Sequence, residues 1–190
     1  MTVVLQLLWL ALPIIAAGLV HLAVMKLDLW PALRRMPIDG GLTFRGKRLF
    51  GDNKTWRGAV VTIGTTMLAA WGVEQVHACC WPLPTLVPFA EDHPLLWGLL
   101  LGTGYIVGEL PNSFAKRQLG IAPGAAGGGT AGRVFWVIDQ LDSLAGMLLF
   151  VAPVWRPSLG LLALIVVIML VAHPVSAWIM VLFGLKDRVG

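Results

Sequence analysis

Val134-Phe-Trp-Val-Ile-Asp139-Gln-Leu-Asp142-Ser143-Leu-Ala-Gly-Met-Leu-Leu-Phe-Val-Ala-Pro-Val-Trp155 is an apolar run long enough to cross a bilayer, yet it carries two carboxylates. A hydrocarbon core of ~30 Å takes about 20 apolar residues in helix. An acid at its centre costs roughly 2.5 to 3.5 kcal/mol on insertion scales, so two acids on one span require a cation, a polar partner or a wet cavity. Spaced i, i+3, Asp139 and Asp142 share one helical face with Cβ atoms about 5 to 6 Å apart, near enough to hold one divalent ion or two adjacent ones. Ser143 lies on the same side.

The rest of the chain has the same solvent in mind. Of 190 residues, 57% are hydrophobic and only 13% charged, with a mean hydropathy of +0.80, which excludes a soluble domain of this size. The expectation is an all-α integral membrane protein forming a single membrane-embedded domain over 1–190. About five transmembrane helices are expected, at 3–25, 58–76, 95–112, 134–155 and 159–183, with connecting loops at 26–57 and 113–133. Gly108-Glu109-Leu110-Pro111 interrupts the third span, where a proline kinks or ends a helix, so a broken or re-entrant segment is the alternative there. No Lys or Arg precedes the first span and no cleavage pattern follows it, so the first helix is read as a span rather than a removed signal.

Eight of the fourteen basic residues fall between Lys26 and Arg57, against three acids, while the connection from Trp81 to Pro94 has no Lys or Arg. The positive-inside rule then makes the basic loop cytoplasmic. Lys116, Arg117 and Arg133 flank the next loop on that side and Lys186 and Arg188 end the chain, giving an outside N-terminus and a cytoplasmic C-terminus. This basic charge belongs to a membrane surface, and no nucleic-acid partner is expected. The adjacent Cys79 and Cys80 are expected not to pair with each other and are read as structural. His21, His77, His93 and His173 show no i, i+4 pair, so packing is the expected role for each.

Gly51-Asp52-Asn53-Lys54-Thr55-Trp56-Arg57-Gly58, just before the second span, sets cations, an acid, an amide and a hydroxyl beside a helix N-terminus. That combination suits a phosphate-rich ligand, whereas a topology signal needs only the cations. A third group, Asn112-Ser113-Phe-Ala-Lys116-Arg117, follows Glu109 and opens into the glycine-rich 120–132. Glycines 127, 129 and 132 satisfy G-x-G-x-x-G formally, but no strand precedes them, so a dinucleotide site is not supported. At about 1.5 Å per residue, Asp139 and Asp142 lie about 9 and 13 Å beyond Arg133, and Glu109 about 10 Å from Lys116. Acids at one depth beneath a rim of cations describe a cavity for metal and polyphosphate, with a lipid entering from the inner leaflet. A small transporter or flippase would also place acids in spans, but internally repeated halves are not evident.

Pro37-Ile-Asp39-Gly-Gly41, Gly51-Asp-Asn-Lys-Thr-Trp-Arg-Gly58, Asn112-Ser113-x-x-Lys116-Arg117 and Asp139-Gln-Leu-Asp142-Ser143, in this order over nearly the whole chain, resemble the CDP-archaeol synthase family, small relatives of the phosphatidate cytidylyltransferases. The chain departs from the wider signature of the latter in having a glycine-rich stretch and Asp-Gln-Leu-Asp in place of His-Gly-Gly and Asp-Arg-x-Asp. The resemblance implies a five-helix enzyme of the cell membrane, its active site facing the cytoplasm. Such an enzyme condenses CTP with an unsaturated archaeal ether-lipid phosphate, or a related phosphatidic acid, and uses Mg²⁺. Asp139, Asp142, Lys54 and Lys116 are then the expected catalytic residues. Asp139, Asp142 and Ser143 are the expected metal ligands, with Asp52 and Glu109 as weaker ones. Phosphates and nucleotide fall to Asp52, Asn53, Lys54, Thr55, Arg57, Asn112, Ser113, Lys116 and Arg117, and the lipid headgroup to Asp39. Oligomeric state is left open, since Gly98 to Gly102 and Gly104 to Gly108 allow close packing within or between chains.

Overall fold

The computed structural model describes residues 3–80, 85–87, 93–125 and 127–182. Its elements in order are α1 (Val3–Lys26), α2 (Pro31–Arg34), β1 (Thr43–Phe44), β2 (Lys47–Arg48), α3 (Trp56–Cys79), α4 (Pro94–Gln118), α5 (Gly129–Val151) and α6 (Leu159–Leu182). Among the described residues, α1, α3 and α5 are long and apolar enough to cross a membrane, and α6 adds a shorter apolar stretch over Leu159–Val171. Lys186 and Arg188, half of the argument for a cytoplasmic C-terminus, lie outside the described residues, as do the side chain of His173 and most of the connection from 81 to 92.

The helices extend past their apolar runs where polar work is to be done. α4 does not break at Pro111 but continues through it to Gln118. The proline lacks one N–H, and neighbouring helices hold a membrane helix together across such a gap. Together with the earlier start of α5, this shrinks the expected loop at 113–133 to 119–128 and turns Asn112, Ser113, Lys116 and Arg117 into helix-borne side chains. The all-helical expectation also needs one amendment: the basic loop carries a small antiparallel hairpin, with Thr43 opposite Arg48 and Phe44 opposite Lys47. Its two-residue turn is Arg45-Gly46, both at positive φ (52° and 77°), the backbone that a tight hairpin turn demands.

α4 is the centre of the bundle, and glycine puts it there. A Cβ at Gly98 would stand 2.7 Å from the Thr66 carbonyl oxygen, and one at Gly102 would stand 2.8 Å from the Ile63 Cα, both on α3. On its other side, a Cβ at Gly104 would lie 2.7 Å from the Gly146 carbonyl oxygen and one at Gly108 2.9 Å from the Gly146 Cα, on α5. Both small-residue pairs are therefore spent inside one chain, bringing backbones into contact as small residues do in membranes. Beyond the glycines, Trp97, Leu101, Leu144, Met147 and Val151 form a buried cluster, with Trp155 edge-on to Trp97 at 6.4 Å. Cys79 and Cys80, expected to stay apart, are bonded to each other at the end of α3.

Candidate active site

Close α4–α5 contact at the glycines sets what happens one turn further along. Glu109, Asn112, Ser113 and Lys116 recur at three- and four-residue spacing on the last turns of α4, so most of them share one face. The middle of α5 brings Asp139 and Asp142 against that face. Asn112 Nδ2 donates to Asp139 Oδ1 at 2.6 Å and to Asp142 Oδ2 at 2.7 Å, so one amide ties both carboxylates. Lys116 Nζ donates to Asp139 Oδ1 and Oδ2 at 2.5 and 2.6 Å, and lies 5.6 Å above the Phe135 ring. The backbone N–H of Ser143 donates to Asp142 Oδ1 at 2.6 Å, and the Ser143 side chain is buried beside it.

The basic loop reaches the same place from α3. Lys54 forms an ion pair with Glu109, and Tyr105 stands one turn down the same helix. Lys47 Nζ donates to the Gln118 carbonyl at 2.5 Å and Phe44 packs on Phe114 at 5.8 Å, which docks the hairpin on the end of α4. Arg117 leaves α4 away from the acid pair. It is only 8% exposed, with Nε and Nη1 lacking a hydrogen-bond partner among the described residues, and its side chain lies against Gly51, whose Cβ position is also flanked by Pro123. A buried guanidinium with spare N–H groups between two loops has the charge and donors that an anion would need.

Four expected site residues stand elsewhere. Arg57 turns toward α1, donating to Asp28 Oδ1 at 2.9 Å and to the Leu29 carbonyl at 3.2 Å, because its position on the first turn of α3 faces that junction and not α4. Thr55 caps α3, its Oγ1 accepting from the Gly58 N–H at 3.3 Å. Asp52, with its side chain 80% exposed, pairs with Arg48 at 2.5 Å and is not gathered with Asp139 and Asp142. Asn53 is exposed on the same turn.

Asp39 is not free to read a headgroup, because all its acceptor capacity is used in the loop. It accepts from Arg48 Nη2 at 2.7 Å and from the backbone N–H groups of Gly41, Phe50 and Gly51 at 3.0, 2.9 and 3.2 Å. Burial alone would raise its pKa, but the Arg48 and backbone hydrogen bonds override this and hold the carboxyl at about 2, below the usual 3.8. A depressed carboxyl contributes stability that is complete above its unfolded value and lost as pH falls through the folded one. Asp39→Asn is therefore expected to cost the loop about 2 kcal/mol at neutral pH. The gap between variant and wild type, read by limited proteolysis of the loop, should close as pH falls from 4 to 2. A gap unchanged over that range would mean that the charge plays no part.

Sequence reasoning missed Arg48, which joins Asp39 to Asp52, and Tyr105, which the i, i+4 spacing to Glu109 would have flagged. Among the described residues no three His, Cys, Asp or Glu side chains gather closely enough to hold a metal by themselves. The paired carboxylates nonetheless offer oxygen ligands suited to a hard cation, while the Asn112 Oδ1, buried and without a partner among the described residues, is turned away from them because the amide NH₂ faces the acids.

The chain is similar to known proteins over most of its length. A family model described as CarS-like, CDP-archaeol synthase, matches residues 1–189. The CDP-archaeol synthase of Methanosphaerula palustris is 35% identical over 154 residues, 80% of each chain. That of Halobacterium salinarum is 36% identical over 159 residues, covering 80% of this chain and 82% of its own. A solved structure described as an intramembrane enzyme for archaeal membrane lipids biosynthesis aligns with a TM-score of 0.61 over 90% of this chain and 92% of that one. Its sequence identity of 21% lets it speak for the fold alone. With the family model spanning the whole bundle and relatives above 30% identity over four-fifths of it, this chain belongs to the CDP-archaeol synthase family.

Proposed function

We propose that the protein transfers CMP from CTP to a lipid phosphate, an unsaturated archaetidic acid, giving a CDP-activated lipid and pyrophosphate. The observation that carries this reading is the convergence of Asp139, Asp142, Asn112 and Lys116 at one end of an apolar bundle, beside the Lys54–Glu109 pair and with Arg117 Nε and Nη1 lacking partners among the described residues. In the reaction a phosphate oxygen of the lipid forms a bond to the α-phosphorus of CTP while the bond from that phosphorus to the bridging oxygen breaks. The electron pair leaves with pyrophosphate. The attacking phosphate is already ionised at neutral pH, so the site needs no general base. It must instead hold several anions together.

Lys116 and Arg117, on the last turn of α4, and Lys54, from the loop, are placed to hold phosphate oxygens from different sides. Asp139 and Asp142 fit a magnesium ion, which binds typically through one or two carboxylates and completes its shell with water and substrate phosphates. Once bound there, magnesium would supply charge neutralisation at the triphosphate. Five crossings with an outside N-terminus and cytoplasmic C-terminus, in the cell membrane, put this end of the bundle at the cytosol, where CTP is, and at the inner leaflet. Continuing from Asp142 along α5, Leu144, Met147, Leu148 and Val151 line an apolar cavity of about 140 Å³, closed across by Trp97 and Leu101. The wholly apolar lining of that cavity suits a chain of the lipid acceptor.

Two experiments test the acceptor. Purified protein with Mg²⁺ and cytidine-labelled CTP is offered an unsaturated digeranylgeranyl glyceryl phosphate or a phosphatidic acid. Label is expected in lipid, with the isoprenoid acceptor preferred; preference for the acyl lipid would overturn the assigned tail. Leu148→Trp, which fills the cavity, is expected to raise the KM for the lipid about tenfold and leave that for CTP unchanged. An equal rise in both would take the cavity out of lipid binding.

A further inference from the structure

The residue read as a phosphate ligand and the residue read as a metal ligand are here bonded to each other. Lys116 Nζ covers both oxygens of Asp139, the Asn112 amide covers Asp139 Oδ1 and Asp142 Oδ2, and the Ser143 N–H covers Asp142 Oδ1. Every oxygen of the carboxylate pair thus faces a nitrogen-bound proton, and the one full positive charge among these donors is Lys116. A divalent cation on Asp139 and this ammonium would occupy the same position, and two like charges at contact distance in a low-dielectric setting repel strongly. The amide tells the same story. Asn112 presents its NH₂ to both acids while its own Oδ1 is buried with no partner among the described residues, so a half-turn of the amide would replace the two donors by an acceptor facing the same point.

We propose that Lys116 is a stand-in cation: it neutralises Asp139 until the metal arrives, is displaced by it, and is thereby released to the triphosphate, which couples metal and nucleotide binding through one side chain. The inference rests on the cytidylyltransferase reading and adds the order of events to it. Without metal, Lys116 is withheld from phosphate. Without nucleotide, metal binding must break an ion pair that nothing replaces. Each ligand therefore binds more weakly alone than with the other, and the coupling is reciprocal. The positioning role is specific to Lys116, because Lys54 is paired with Glu109 rather than with the aspartates.

The test reads binding and lysine exposure, not turnover. Mn²⁺ affinity of the full-length protein in detergent is measured by electron paramagnetic resonance without nucleotide, for wild type, Lys116→Met and Lys54→Met. Lys116→Met is expected to bind Mn²⁺ about tenfold more tightly than wild type, and Lys54→Met, which removes the same charge from the neighbouring pair, less than threefold more tightly. In parallel, labelling of Lys116 by an amine-directed reagent should rise several-fold in wild type on adding Mg²⁺ and fall again on adding CTP, with the exposed Lys26 unchanged. Equal Mn²⁺ affinity in wild type and Lys116→Met, or equal gains in both variants, would overturn the exchange. Mn²⁺ binding by none of the three would instead remove the metal from Asp139 and Asp142, the reading on which the exchange depends.

Discussion

Asp142→Asn is expected to lower turnover at least about 100-fold while the protein still inserts, purifies and unfolds at a temperature close to that of wild type. The substitution keeps one oxygen, which can still accept from the Ser143 N–H, and gives up the acceptor used by Asn112, so one of the two local hydrogen bonds survives. What it removes is a charge placed in a membrane helix, which eases insertion. Loss of activity with stability intact therefore isolates the carboxylate charge. Raising Mg²⁺ should restore part of the rate, since the remaining Asp139 still offers one charged ligand. Near-normal turnover of the variant at limiting Mg²⁺ would take Asp142 out of the reaction.

Gly146→Ala is expected to do the reverse, destabilising the fold and lowering activity with it. The added Cβ would fall against the Gly108 N at 2.8 Å, with the Gly104 carbonyl and Gly108 Cα closer still. All three are backbone atoms, so nothing can rotate away and α5 must move off α4. Overpacking of this kind costs about 3 kcal/mol, enough to lower the unfolding temperature of a bundle this size by several degrees. Asp142 lies one turn from Gly146 and Asn112 one turn from Gly108, so separation of the helices also pulls the acids off the amide that joins them. Gly64→Ala and Gly72→Ala are the controls: a Cβ meets nothing within 4 Å at either, and both sit inside α3. Those variants should be as stable as wild type or more so by up to about 1 kcal/mol, since alanine favours helix. If Gly146→Ala behaved like them, the packing account of α4 and α5 would be wrong.

The acid pair was legible from sequence because two carboxylates in an apolar run have no structural excuse, and i, i+3 spacing already puts them on one face. Lys116 and Asn112 were legible as members of a cation-and-amide group, but not as the partners that bind those acids, since sequence does not say which face of α4 meets α5. Glycine does say it once the contact is seen: Gly104 and Gly108 mark one contact face, and Asn112 extends the same row by a further turn. Pro111 misled in the other direction. Its local preference for ending a helix is outweighed by packing on both sides, so the expected loop was drawn eleven residues too long at its ends.

The basic loop hid more. Arg57 and Lys54 are three residues apart and look equivalent in composition, yet helix geometry sends Arg57 to Asp28 and leaves Lys54 to Glu109. Asp39 was expected at the lipid headgroup because Pro37-Ile-Asp39-Gly-Gly41 is one of the motifs that carry the family resemblance. In the structure it organises the loop, gathering Arg48 and three backbone N–H groups. Strands of two residues carry no periodicity, so only the Arg-Gly turn hinted at the hairpin that brings this loop to the end of α4.

The most direct test is to follow the two ends of CTP separately. The protein, with Mg²⁺ and a lipid phosphate, is given CTP labelled with ³²P at the α position or at the γ position. The account predicts α label in organic-extractable lipid and γ label in pyrophosphate, in equal amounts, and neither in the presence of EDTA. Release of γ label with no α label entering lipid, or transfer of γ label to the lipid, would contradict a cytidylyltransferase built on Asp139, Asp142 and Lys116.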